Sequence, residues 1–263
     1  MKKILLTFDI EEADILNEYK LNVSKETELE ISKQGFLRLI NILKENNVKA
    51  TLFVTANFAK RYTKLIRELS DEGHEIACHG YLHSDDYNIN SNLIKISQAK
   101  SEIEKITKKE ILGFRAPRFS ITNIAELSNF NFKYDSSIHP TFASSGGKNL
   151  FKSRSVRKIG NVIEISPSTL PLLRLPISWI FFRNLGLTYS KTFMSLNNLS
   201  SQYTMFLFHP WEFADLDKFN LPIHIKRNTG LKLAGMLGEI IKFAKERGYE
   251  FETIGEYLKL NGK

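Results

Sequence analysis

Four short stretches of the 263-residue chain concentrate side chains that can do chemistry: Asp9-Ile10-Glu11, His79-Gly80-Tyr81-Leu82-His83, Arg115-Ala116-Pro117 and His209-Pro210-Trp211-Glu212. His79 and His83 are four apart, so a helical turn would put both imidazoles on one face, where they can share a metal ion. On a strand, residues i and i+2 point the same way, so Asp9 and Glu11 can face one pocket. Two histidines and one carboxylate make a site with open positions for a divalent ion, Zn²⁺ first, with Co²⁺, Ni²⁺ or Mn²⁺ as alternatives. The second carboxylate is then free for proton transfer. A metal lowers the pKa of its water from 15.7 towards ~7, and a carboxylate alongside can act as general base. Arg115 would keep that carboxylate ionised, while His209 could protonate a leaving amine. The reaction class is metal-assisted hydrolysis of an amide or ester.

For these stretches to meet, each must end a strand of a parallel β/α sheet, where the following loops carry function. The apolar patterning supplies such strands. Strands are expected at 3–10, 50–55, 75–78, 111–114 and 132–136, separated by helices at 32–46, 58–72, 91–109 and 123–130. Regularity lapses between residues 140 and 200. Within that stretch 156–165 reads as a β-hairpin turning at Gly160-Asn161, where positive φ is easy. A strand at 204–208, a long helix at 231–247 capped by Gly248, and a strand at 249–253 close the pattern. The order predicts an α/β fold, a distorted barrel of about seven parallel strands. It is read as one domain over residues 1–263, with 140–200 as a hairpin-and-helix insertion.

Composition narrows the class. Apolar residues make up 42% and charged residues 25%, which fits a globular chain and excludes a disordered or collagenous one. Cys78 is the single cysteine, so an intrachain disulfide and a cysteine-based zinc site are excluded. Asp9 cuts the N-terminal apolar run short of a signal-peptide core, and no run reaches the ~18 apolar residues of a membrane span. A cytoplasmic location follows as the expectation. Lys and Arg number 37 against 29 Asp and Glu, a net charge of +8, with the lysines spread along the chain and no basic block interleaved with aromatics. Nucleic acid is therefore not an expected partner. Residues 172–187, with Ile177, Trp179, Ile180, Phe181 and Phe182 beside Arg174 and Arg183, read either as a core-facing helix or as a patch resting on an anionic membrane face.

In motif order the sequence resembles the polysaccharide deacetylase (NodB-homology) family, carbohydrate esterase family 4. Thr7-Phe8-Asp9-Ile10-Glu11 is similar to the first motif, Thr-Phe-Asp-Asp. The stretch 73–83 is similar to the second, Gly113-Phe114-Arg115-Ala116-Pro117 to the third, and Leu207-Phe208-His209-Pro210 to the last. The variants Phe-Asp-x-Glu, His-Gly-Tyr-x-His, Arg-Ala-Pro-x-Phe-Ser, Tyr-Asp-Ser-Ser and His-Pro-Trp-Glu-Phe most resemble a subgroup found with bacterial exopolysaccharide and surface-glycan genes. The resemblance implies a metal-dependent N-deacetylase of amino sugars, with a surface polysaccharide or its lipid-linked precursor as substrate. It further implies Asp9 as general base, His79 and His83 as metal ligands, Arg115 as orienter of the base and His209 as general acid. Tyr81, Pro117, Phe119 and Trp211 are expected around the sugar.

The sequence departs from the pattern in three places. Ile10 stands where the family places a metal-binding Asp, and strand alternation nominates Glu11 instead. Residues 165–200 hold no Asp to support His209, which leaves Asp135 as a candidate by composition. Gly80 replaces a common Ser or Thr. Two other readings therefore stand beside the first: an amidase or deformylase on the same scaffold, and a catalytically weak glycan-binding relative.

Overall fold

The computed structural model describes residues 2–87 and 93–260. Its strands are β1 (Lys3–Ile10), β2 (Thr51–Val54), β3 (Glu75–Cys78), β4 (Gly113–Phe114), β5 (Tyr134–Asp135), β6 (Arg157–Ile159), β7 (Val162–Glu164), β8 (Tyr203–Phe208) and β9 (Glu250–Phe251). The helices are α1 (Ile15–Glu18), α2 (Lys25–Glu45), α3 (Ala56–Arg61), α4 (Thr63–Asp71), α5 (Leu93–Thr107), α6 (Trp179–Asn197), α7 (Ile223–Lys226), α8 (Leu231–Glu246) and α9 (Ile254–Tyr257).

The strands form one sheet in the order β6-β7-β5-β4-β3-β2-β1-β8, with β9 also on β1. All pairings are parallel except β6 with β7. Among the described residues the result is a curled half-barrel of nine strands rather than about seven. The extra strands come from the hairpin, whose turn is at Gly160-Asn161 as expected. Its second strand, β7, continues the sheet in parallel beside β5, so that part of the 140–200 stretch belongs to the sheet itself. Strands β1, β2 and β8 are buried along almost their whole length, as a parallel sheet covered on both faces requires. Leu5, Phe53, Tyr134 and Met205 pack in one apolar cluster, and Ile4, Leu6, Phe8, Leu52 and Phe206 pack against the helices in another.

Two helix boundaries differ from the expectation. Helix α2 begins at Lys25, because the Ser24 hydroxyl accepts from Thr27 N and caps a polar first turn that shows no apolar period. The expected helix 58–72 breaks at Tyr62, whose backbone (φ −124°, ψ 45°) leaves the helical region. Residues 88–92, which include the start of the expected helix 91–109, lie outside the described residues. Helix α2 also fixes the approach of the loop after His209. A Cβ on Gly35 would sit 1.9 Å from the Pro210 carbonyl oxygen, so only glycine lets the helix press against the loop after His209.

Candidate functional site

The ends of β1, β3, β4 and β8 bring Asp9, Glu11, His79, His83, Arg115 and His209 together, as four separate sequence stretches predicted. Alternation on β1 works as expected: Ile10 is buried in the core, while Asp9 and Glu11 both line one pocket with His79, His83 and His209. The two histidines meet differently from the expectation. Residues 79–83 form a loop rather than a helical turn, and the imidazoles stack with centroids 5.8 Å apart. That loop depends on Gly80, at φ 79°, because a Cβ there would lie 2.3 Å from the buried Tyr87 hydroxyl. The hydroxyl is already engaged as acceptor from Tyr81 N.

Glu11 Oε2 lies 3.1 Å from His79 Nε2 and 3.0 Å from His83 Nε2. The far side of each ring is committed. His79 Nδ1 donates to the Arg115 carbonyl at 2.8 Å, and His83 Nδ1 donates to Asp14 Oδ1 at 2.8 Å. Both rings are thereby fixed in the tautomer that turns an Nε2 lone pair towards Glu11, the arrangement metal-binding histidines show. Burial keeps His79 below the ordinary imidazole value, which favours the neutral, ligating form. Burial also pushes the Glu11 carboxyl up to about 7, with Asp14 and Asp9 adding like charge against the pull of His83 and His209. A cation at this point would relieve both effects. These three donor atoms lie within 4.8 Å of one another, and ligands about one Zn²⁺ are separated by about 3.4 Å. The donor set fits a divalent ion.

Asp9 is held separately. Arg115 Nη1 donates to Asp9 Oδ1 at 2.7 Å and to Thr7 Oγ1 at 3.1 Å, while Nε and Nη2 bond to Ser136. The guanidinium is fully buried, 4.0 Å above the Phe53 ring. Burial opposes ionisation of Asp9, yet Arg115, His79 and His209 outweigh it and hold the carboxyl below its usual range. Glu11 and Asp9 are two residues apart with opposite shifts, the pattern that assigns different tasks to neighbouring acids.

His209 is oriented by Glu212, not by Asp135. Its Nδ1 lies 3.0 Å from Glu212 Oε1, and Glu212 Oε2 accepts from the buried Arg183 Nε at 2.6 Å. Asp135 is turned away, bonded to Ser137 N and Oγ. Burial disfavours the His209 imidazolium, but Glu11, Glu212 and Asp9 overcome it and raise the group to about 9. Trp179 and Trp211 flank its ring, with centroids at 5.1 and 5.4 Å.

Of the expected sugar contacts, Phe119 and Trp211 line the pocket. Tyr81 and Pro117 do not: the Tyr81 hydroxyl turns to Lys60, and Pro117 opens a short 3-10 turn beside a neighbouring groove. Four participants were missed from sequence. Asp14 orients His83, and Arg118 bridges Asp14 Oδ2 and Glu18 while donating to the His83 carbonyl. Trp179 lines the pocket from the start of α6. His139 is buried in the pocket wall with no hydrogen-bond partner for Nε2, and burial lowers it to about 3. The Cys78 thiol, one residue before His79, is buried and pushed up to about 12, which leaves it inert as a nucleophile.

Known proteins resemble the chain in sequence and in fold. The peptidoglycan-N-acetylmuramic acid deacetylase PdaA of Bacillus subtilis is 36% identical over 84 residues, covering 31% of this chain and 32% of that protein. The chain spans about a third of the length of the curated relatives it matches. Among solved structures, the PuuE allantoinase superposes with a TM-score of 0.62 at 16% identity, over 97% of this chain and 88% of that one. A family 4 acetyl xylan esterase from Clostridium thermocellum, solved with a cobalt ion, gives 0.52 at 18% identity, over 98% and 91%. Both likenesses show the fold. The polysaccharide deacetylase family profile matches residues 1–134, half of the chain, and with the motifs seated as described, the chain belongs to that family.

Proposed function

We propose that this chain is a divalent-metal-dependent N-deacetylase of N-acetylated sugars, acting on a surface polysaccharide or its lipid-linked precursor. The observation that carries the reading is the convergence in one pocket of the Glu11–His79–His83 donor set, an arginine-held carboxylate and a glutamate-held imidazole. A divalent ion held by those three donors would supply Lewis acidity towards the amide carbonyl and acidify a water molecule. Asp9, kept ionised by Arg115, takes the proton of the attacking water. His209, protonated at neutral pH, delivers a proton to the leaving nitrogen, so the C–N bond breaks to give acetate and a free amine. Glu212 holds Nδ1 of His209 and turns Nε2 towards the pocket. Trp211, Trp179 and Phe119 offer apolar walls to a sugar ring, and the free Nε2 of His139 offers a hydrogen bond to its polar groups. The Glu212 clamp gives His209 the support that no Asp in residues 165–200 supplies, which favours an enzyme over a glycan-binding relative.

The reading fixes a pH dependence. His209 must be protonated to donate, so on the alkaline side turnover falls as pH climbs through its raised value. Replacing Glu212 with Gln removes one of the charges that raise it. The alkaline limb then moves to lower pH, towards the ordinary imidazole value, and the loss of Arg183's partner costs about 3 kcal/mol of stability. A pH–rate profile with a parallel melting curve checks both, and an unmoved limb would refute the orienting role. The function itself is tested by measuring acetate and free amine released from monomeric, polymeric, peptidoglycan-derived and lipid-linked N-acetyl sugars. Acetate from any arm supports the reading and ranks the substrates, whereas none from all four refutes it.

A further inference from the structure

The net charge is not spread evenly. Residues 136–211 carry eight Lys and Arg (Lys148, Lys152, Arg154, Arg157, Lys158, Arg174, Arg183 and Lys191) against one acid, Glu164, which is buried. The rest of the chain holds 29 cations against 28 acids, so seven of the eight net charges lie in this one segment.

The same segment exposes large apolar side chains. Thr169 and Pro176 pair as the base of a small hairpin, closed by Leu170 N donating to the Leu175 carbonyl. At its tip Leu172 is 94% exposed and Leu173 67% exposed. The adjoining loop carries Phe151, 90% exposed, and the two loops are tied by Arg174 Nη1 donating to the Lys152 carbonyl and by Arg154 Nε donating to that of Thr169. Phe151, Leu172 and Leu173 thus project from tied loops that also bear Lys152 and Arg174. Pro176, at the hairpin base, lines the catalytic pocket. The sequence-level patch is thereby relocated: Phe182 is buried in the core, Arg183 is buried on Glu212, and Trp179 faces the pocket.

We propose that this tip, Phe151 with Leu172 and Leu173 amid their basic neighbours, docks the chain on an anionic lipid surface. Apolar side chains flanked by cations enter the headgroup boundary while the cations meet phosphates. Charge complementarity selects lipid over a second copy of this chain, whose same face would bring like charge against like. The contact proposed is a peripheral one, and no helix of the described residues is long and apolar enough to cross a membrane. The pocket then lies beside the bilayer. The inference stands independently of which bond the pocket hydrolyses.

Flotation of the full chain with vesicles of phosphatidylcholine containing about one-third phosphatidylglycerol tests it, at low and at high salt. Binding is expected on these vesicles, at least tenfold weaker on pure phosphatidylcholine or in high salt. The double variant Leu172→Ser/Leu173→Ser should lose about tenfold more while keeping its melting temperature. Absence of binding, equal binding to both vesicle types, or a double variant that binds as well as the parent would each overturn the proposal. So would concentration-dependent dimerisation that the double variant abolishes, since the tip would then be a self-association face.

Discussion

Asp9→Asn lowers acetate release by about a thousandfold while leaving bound metal unchanged, within the ~10²–10⁴ range of a positioned general base. The amide keeps the shape of the carboxylate and an oxygen for Arg115 Nη1, so the pocket keeps its form. What it loses is the capacity to take a proton. It also strands a fully buried guanidinium without its counter-charge, which costs about 3–5 kcal/mol of stability. Turnover, metal content and thermal unfolding measured on one preparation separate these effects. Unchanged turnover would remove Asp9 from the mechanism, and loss of metal would make it a ligand.

The second large effect concerns Glu11. It is the one anionic member of the Glu11–His79–His83 set, and both Nε2 atoms converge on its Oε2. Glu11→Gln preserves size but removes the charge that a divalent ion needs. Metal affinity falls by more than the ~10–100-fold attached to losing an outer partner, and activity falls with it, recovering in part with excess Zn²⁺. Asp14→Asn provides the internal scale, because Asp14 meets His83 only at its far nitrogen, with its other oxygen held by Arg118, and the loss should cost about 10–100-fold. Metal titration of both variants orders the two. A Glu11→Gln protein with parental metal content and turnover would show that the carboxylate is not a ligand.

Much of the site was legible because strand alternation is rigid. Once 3–10 reads as a strand, Asp9 and Glu11 must share a side and Ile10 must oppose them. The parallel β/α pattern then delivers four strand ends to one rim. Less local features escaped. Asp14 reaches His83 only because the chain turns into α1 immediately after β1, and Arg118 reaches Asp14 through a backbone at φ 52° that no pattern announces. Glu212 was in view three residues from His209, yet the spacing alone did not tell whether it faced the imidazole or solvent. Asp135 was misassigned for the converse reason: composition supplied an acid, and the fold turned it to Ser137. The charge segregation between residues 136 and 211 was present in the sequence throughout, and acquires meaning only when the hairpin exposes Leu172 and Leu173 beside it.

The proposed hydrolysis needs the Glu11–His79–His83 site filled. Acetate release from an N-acetylglucosamine oligomer, measured on the purified chain before chelation, after chelation and after return of Zn²⁺, addresses it most directly. Release is expected to disappear with the metal and to return with it. Release that persists undiminished in the chelated, metal-free protein would contradict it.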